Sequence, residues 1–553
     1  MHDAGHRAVD DAVAPDTPSP GLVRRFFTTG RHLGGLVLGL LVWWAEAGRR
    51  ADPPARGTTF LLQRLFAAFV RPFLDRSLRS QPFPVQFRRR LELLGPTYIK
   101  LGQILSLRED LLPPDITAEL KNLLDRLPVV PFDRLARIIE GDLGRPPEQV
   151  FAWVDRSPIG SASIAQTHRG RTHEGDEVVL KVVKPGIRET LERDAVLLKL
   201  FGRGLQAVLS RFQPRRIIEE FVDYTLREVD LRREADNAET FAANFRDQPD
   251  IVFPKIYRAY SGRNVLCMEF FDGYKPSDPR AQTLADADRA RLIDLGAASI
   301  IRMLYQDGFF HADLHPGNLV VLPGPRCGFI DLGMVGRFDE ELRRTLMYYF
   351  YCLVIGDSEN AARYLLAVAW PGPGADPAGF RRDVEDVSRR WSHSANFRDF
   401  SIARLILESV GRAGRYRLYF PVETVLMVKA LVTFEGVGQM LRPGFDVAAV
   451  SRPHIRQIFL NQLSPLRFLK DGLRYAPDIV DALAKAPLLI TEGVRLVERN
   501  LREPPPDPFR PMRSALLAGA CLVGGVLALV LNGPSPLWIG LFAIALLLAF
   551  RRR

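Results

Sequence analysis

The sequence predicts an α+β fold of two lobes, with a helical extension before it and a pair of apolar tail helices after it. Three observations carry this reading. Short β-type runs cluster between residues 150 and 273 while helical periodicity dominates on either side. A second pair of strands interrupts the C-terminal helical half at residues 318–330. Finally, Ser514 to Phe550 contains no charged residue.

In chain order, residues 1–30, rich in Asp, Pro, Gly and Arg, read as a poorly ordered leader. Residues 31–149 read as the helical extension. Its apolar run Leu33 to Ala45 is too short to span a bilayer and starts too far from Met1 for an ordinary signal peptide, so it reads as an interfacial or core-packed helix. Helical patterns follow at Phe60 to Leu78, Val85 to Leu94 and Leu101 to Leu107. Residues 150–273 form the smaller lobe. Phe151 to Val154, Ile164 to His168, Val178 to Val183 and Val265 to Phe271 are its strand-like runs, and the amphipathic stretches Ile187 to Leu209 and Ile217 to Phe245 are inserted among them. Residues 274–500 form the larger lobe, with a buried helix at 287–306. A hairpin turns there through Pro323-Gly324-Pro325-Arg326, and helical periodicity continues from 340, broken at Pro371-Gly372-Pro373-Gly374.

A Pro-rich spacer at 501–513 leads to the tail, 514–550, which Asn532-Gly533-Pro534-Ser535-Pro536 splits into runs of about 27 and 21 Å as helices. Arg510 and Arg513 before the tail and Arg551 to Arg553 after it place both ends, and the lobes, on the cytoplasmic face of a membrane. Ala520 and Gly524 form a small-x-x-x-small pair that suits either a homodimer or packing within the hairpin. With 553 residues, 47% of them hydrophobic, disordered and collagenous classes are excluded. The four cysteines are spaced neither as a disulfide framework nor as a zinc site. A net charge of +11 suits phosphate-rich partners or an anionic membrane. The basic stretches 211–216 and 380–390 read as charged helix faces, so no nucleic-acid partner is expected.

The chemistry lies at the second pair of strands. There the chain reads His311-Ala312-Asp313-Leu314-His315-Pro316-Gly317-Asn318, and Asp331 follows Asn318 by 13 positions in Ile330-Asp331-Leu332-Gly333. Phosphoryl transfer needs a carboxylate at the incoming group and oxygen ligands for magnesium, rigidly held. An Asp, an Asn five residues on, a hairpin and an Asp-x-Gly turn are the catalytic loop and metal turn of a protein-kinase-like fold. Asp313 is then base or charge stabiliser, and Asn318 and Asp331 hold Mg2+. Upstream, Lys181 sits inside the apolar strand Val178 to Val183, where an ammonium is costly unless it meets phosphate and carboxylate. Glu234 is its expected partner and Glu228 the next. Gly160, Ser161, Ala162 and Ser163 occupy the phosphate-cover position, and the backbone groups of Glu269 and Phe271 are available to the adenine of ATP. His311 reads as an anchor of the catalytic loop, and His315 as a phosphate contact or a solvated loop residue.

These features, with three more, resemble the UbiB family of atypical kinase-like proteins, which includes the mitochondrial coenzyme Q kinase-like proteins. Lys100-Leu101-Gly102-Gln103 matches that family's Lys-x-Gly-Gln signature, Gly160-Ser161-Ala162-Ser163 is similar to its alanine-rich loop, and Glu228-Val229-Asp230 matches its Glu-x-Asp motif. The resemblance runs from about Phe87 to Arg442. It implies that Lys100 and Gln103 lie on a helix folded over the site with Lys100 near Glu228, and that Glu228 and Asp230 are regulatory. It also implies ATP and Mg2+ as cofactors, isoprenoid or quinone precursors and quinone-biosynthesis enzymes as partners, and a role in ubiquinone biosynthesis at a membrane. Independently, only Gly333 to Phe338 separates the metal turn from the next helix, leaving no activation segment for ordinary protein phosphorylation. Two departures stand out. The loop is poorer in alanine than the family's, and Lys181 and Glu234 are 53 residues apart, which requires an inserted helix at Ile187 to Leu209. A nucleotide-gated scaffold is the alternative reading. A small-molecule kinase of the aminoglycoside or choline type shares the Asp-to-Asn spacing but not Lys100 to Gln103 or the tail.

Overall fold

The computed structural model describes residues 21–50, 78, 81–106, 108, 112–123, 129–208, 214–393, 402–445, 447–462, 510–530 and 534–550. The chain divides into two compact units, residues 1–462 and 463–553. All but the last residue of the Phe60 to Leu78 pattern, the whole 463–509 stretch and the first twenty residues lie outside the described residues.

The first unit opens with helix α1 (Leu22–Arg50), followed by α2 (Phe83–Leu94), α3 (Pro96–Leu105) and α4 (Pro114–Leu120). Helix α1 corrects the expectation of a disordered leader up to residue 30: its first turns are tied down by Arg25, whose guanidinium donates to both carboxylate oxygens of buried Asp194 and to the Leu94 carbonyl. The apolar run at 33–45 is core-packed, with Leu36 buried against Phe83, Leu91 and Tyr98.

Helix α5 (Phe132–Leu143) precedes strands β1 (Trp153–Val154), β2 (Gly160–Ser161), β3 (Ala165–Arg171) and β4 (Glu177–Val183). Then come α6 (Ile187–Val208), α7 (Pro214–Glu228), α8 (Leu231–Asn244), β5 (Ile251–Val252) and β6 (Val265–Glu269). The antiparallel sheet runs β1-β3-β4-β6, with β2 on β3. Alternation along β4 sorts its side chains between two layers. Val178, Leu180 and Val182 pack with Val265 and Cys267 against Phe132, Leu135 and Ile139 of α5, so the layer covering the small lobe begins well before residue 150. Val179 and Val183 face the other way, toward Leu191, Leu231 and Ala235. The stretch 217–245 is two helices, because Asp230 breaks it with extended backbone (φ −99°, ψ 96°) and its side chain caps α8 by accepting from the Arg232 amide.

The larger lobe is built from α9 (Asp286–Ile301), β7 (Phe309–His311), β8 (Leu319–Leu322), β9 (Arg326–Phe329), β10 (Val335–Arg337), α10 (Glu340–Ile355) and α11 (Ser358–Val368). It continues with β11 (Trp370–Pro371), α12 (Pro377–His393), α13 (Ile402–Arg412), β12 (Leu418–Tyr419), α14 (Val422–Leu441) and α15 (Val447–Gln462). A π-helical turn at Arg302–Asp307 follows α9, and β5 joins β9 in parallel beside the β8–β9 hairpin. Among the described residues α14 is the one helix long and apolar enough to cross a membrane, but 61% of its apolar window is buried inside the unit, as befits a core helix.

In the second unit, α16 (Arg510–Val530) and α17 (Ser535–Phe550) form a helical hairpin. Gly525 lets the helices approach: a Cβ there would lie 2.9 Å from the Phe542 ring, while Gly524 faces Leu541.

Candidate active site

The β3–β4–β6 register puts Lys181 opposite Thr167 on one side and Leu266 on the other, on the sheet face that looks toward α8. Glu234 lies in the first turn of α8. Lys181 Nζ donates to Glu234 Oε1 at 2.8 Å and to Asp331 Oδ1 at 2.9 Å. Burial opposes the ammonium, but the Asp331 and Glu234 carboxylates override it and hold Lys181 charged well above the ordinary lysine range. Two carboxylates share this one cation. Burial also works against charge on Asp331, yet Lys181, with His311 and Lys100 beyond it, keeps its carboxyl well below the usual range. Burial pushes Glu234 up to about 7, aided by the charge of Asp331 and resisted by Lys181.

The catalytic loop is anchored from within. The Asp313 amide donates to His311 Nδ1 at 3.0 Å, so His311, fully buried and with its pKa lowered mainly by burial, serves as the neutral anchor of the loop. Asn318 Nδ2 donates to the Asp313 carbonyl at 2.9 Å, which turns the amide oxygen away from that bond. The Ile330 amide donates to the Asn318 carbonyl, tying the loop to the strand that delivers Asp331. His315 accepts from the Gly317 amide at Nδ1 and so caps its own turn. From Asp331 the chain goes directly into β10, which pairs with β7, and then into α10, so no activation segment intervenes.

The donor set fits a magnesium-nucleotide. Among the described residues no three His, Cys, Asp or Glu side chains gather as an all-protein cage. Magnesium bound with phosphates needs only one or two protein oxygens, which Asn318 and Asp331 can supply.

At the phosphate-cover position, Gly160 and Ser161 pair with Thr167 and Gln166, and the Ala162 amide closes the turn on the Ala165 carbonyl, with Ser163 at its tip. One expectation narrows. The Glu269 amide donates to the Lys255 carbonyl at 2.9 Å because the Lys255 segment lies along the outer edge of β6, so of that residue's backbone groups the carbonyl, not the N–H, is the one available to adenine. The Phe271 amide makes no hydrogen bond among the described residues.

Lys100, on α3, forms an ion pair with Glu228 at the end of α7, while Gln103 lies one turn further along α3. Asp230 lies two residues on as the cap of α8, bound to Arg232.

Three further residues at the site carried no separate sequence signal. Lys429 Nζ of α14 lies 2.7 Å from Asp313 Oδ1. Lys275 donates to the Gly317 carbonyl at 2.7 Å, and burial pulls it down to about 8. The Tyr224 hydroxyl is buried near Glu228, Asp313 and Asp331 and makes no hydrogen bond among the described residues. Each sits within a helical or loop pattern in which a lone Lys or Tyr reads as a solvated or packing residue.

Residues 122–365 match the ABC1 atypical kinase-like domain and residues 392–446 the UbiB helical domain. Among curated relatives, proteins described as "Probable protein kinase UbiB" are similar over most of the chain. That of Cellvibrio japonicus is 30% identical across 82% of this chain and 81% of its own, and that of Azotobacter vinelandii 31% across 87% and 91%. The Pseudomonas paraeruginosa protein is 30% identical across 88% and 91%.

Proposed function

Because the chain belongs to the UbiB family of ABC1 atypical kinase-like proteins, we propose that it is a membrane-anchored ATPase or small-molecule kinase. In this reading it binds Mg-ATP and supports ubiquinone biosynthesis by acting on isoprenoid lipid precursors. The observation that carries the nucleotide part is the convergence of Lys181, Glu234 and Asp331 beside the Asp313–Asn318 loop. Magnesium held by Asn318 and Asp331 would neutralise phosphate charge. Lys181 would orient the phosphates, and Asp313 would face the incoming group. The absent activation segment and the Lys100–Glu228 pair beside the cleft argue against a peptide acceptor.

The membrane part rests on the tail. Leu517, Leu522, Val523, Leu527, Leu537, Ile539 and Leu546 are all about half exposed or more, a surface suited to lipid. The arginines at both ends support the reading that the lobes lie on the cytoplasmic face. The features that argue against a peptide acceptor also suit a nucleotide-gated scaffold that organises quinone-biosynthesis enzymes.

Calorimetric titration of ATP with Mg2+ should show binding by wild type and by Asp313→Asn, and loss in Lys181→Met and Asp331→Asn. In cells lacking the protein, quinone should fall and an early prenylated precursor accumulate, with wild type restoring the profile. Rescue by Asp313→Asn as well would favour the scaffold, rescue by Asp331→Asn would sink nucleotide dependence, and an unchanged profile in the deletion would sink the quinone assignment.

A further inference from the structure

We propose that Lys429 is a positioning residue for Asp313, supplied by α14 where this fold has no activation segment. The inference rests on the kinase-type reading of the cleft. Helix α14 is almost wholly apolar: its only charged residues are Glu423, Lys429 and Glu435, and Val428, Ala430 and Leu431 beside Lys429 are buried. An ammonium emerging from such a helix is costly without a counterion, and the carboxylate it reaches is Asp313, at 2.7 Å with both side chains about four-fifths buried.

Within the catalytic loop, the Asp313 amide is held by His311 and its carbonyl by Asn318. These bonds fix the backbone but leave the carboxylate free to turn about χ1 and χ2. The contact that fixes it comes from outside the loop. With Oδ1 engaged by Lys429, Oδ2 is the oxygen left for the incoming group, and the χ angles of Asp313 are no longer free. In an ordinary protein kinase the activation segment shapes this side of the loop. Here the Asp331 strand passes directly into β10, and a core helix from the region matching the UbiB helical domain takes that place. Lys429 thereby links the packing of the C-terminal helices to the geometry of the reacting carboxylate.

The test uses the full-length protein. Lys429→Met should lower kcat for ATP hydrolysis about ten- to a hundredfold, the effect of misplacing a reacting group by an ångström or so, with KM for ATP little changed. Lys429→Arg, which keeps a cation in reach, should retain most activity. In the Asp313→Asn background Lys429→Met should cause no further loss, because the residue it positions is already disabled. An equal loss in both backgrounds would show a general structural role and overturn the proposal. The Asp313 side-chain rotamer in crystal structures of the variants is the second readout: the carboxylate should spread over several χ1 and χ2 settings in Lys429→Met and keep a single one in Lys429→Arg. If wild type proves unable to turn over ATP, the turnover reading fails while the rotamer experiment still decides this proposal, and a single unchanged Asp313 rotamer in Lys429→Met sinks it.

Discussion

Asp331 combines a hydrogen bond to Lys181 with a positive φ of 56°, which among the described non-glycine residues only Arg417 shares. A left-handed carboxylate residue costs about 1–2 kcal/mol, and here the cost falls on the carboxylate that the proposed function assigns to magnesium. Tyr224 presents the complementary case, a buried hydroxyl beside three carboxylates that has no partner among the described residues, as is also true of Glu228 Oε2. Removing an unsatisfied buried hydroxyl should leave the ligand-free protein unchanged or more stable by about 1 kcal/mol. We expect Tyr224→Phe to melt no lower than wild type while ATP turnover falls; a lower melting temperature would mean that the hydroxyl already has a structural role. Asp307 carries a pH signature. Burial pushes its carboxyl up to about 6, against Arg302 and Arg343, which pull it down. Because the folded form holds the proton more tightly, this group's contribution to stability is greatest below the unfolded pKa and is lost as pH rises through about 6, by at most about 3 kcal/mol. Asp307→Asn should therefore gain on wild type more at pH 7.5 than at pH 5 in denaturant titrations, and a pH-independent difference would refute the assignment.

Helix α3 owes its seat to a residue with no side chain. A Cβ at Gly102 would fall 2.3 Å from Leu123 and 2.6 Å from Leu91, both buried, so neither has room to retreat. We expect Gly102→Ala to cost about 1–3 kcal/mol by overpacking and to lift Lys100 away from Glu228. Thermal unfolding checks the first effect, and a change in nucleotide affinity no larger than that of Lys100→Ala checks the second. Strand β4 shows the same logic in a sheet: an odd–even alternation assigns Lys181 to the face of α8 and its even-numbered neighbours to α5. A one-residue slip of that strand would bury Lys181 against Phe132 and Leu135.

At the scale of the whole molecule, the chain joins an apolar hairpin with exposed leucines and valines to a unit whose apolar helix α14 is buried. The two look alike in hydropathy and differ in what covers them. If the hairpin is the anchor, the double substitution Val523→Arg and Leu527→Arg should move the protein from the alkali-washed membrane pellet to the soluble fraction, since each arginine costs about 2.5–3.5 kcal/mol at mid-bilayer. Equal retention of wild type and variant in the pellet would assign attachment to another part of the chain.

The sequence by itself determined the two-lobed order of elements, the Asp313–Asn318–Asp331 spacing, the lysine in β4 and the charge-free tail, because each is written in local periodicity or in a short run of residue types. Even the distant meeting of Lys181 with Glu234 was legible, since a lone ammonium in an apolar strand demands a carboxylate. What only the tertiary structure decided is where separate elements touch. Lys429 reaches Asp313, the Tyr224 hydroxyl is left without a partner among the described residues, Lys255 occupies the amide of Glu269, and Arg25 ties the first turns of α1 to Asp194. Such contacts join residues far apart along the chain. A single lysine or tyrosine on a helix carries the same local pattern whether it faces water or a catalytic loop, and only the packing of one helix against another distinguishes the two.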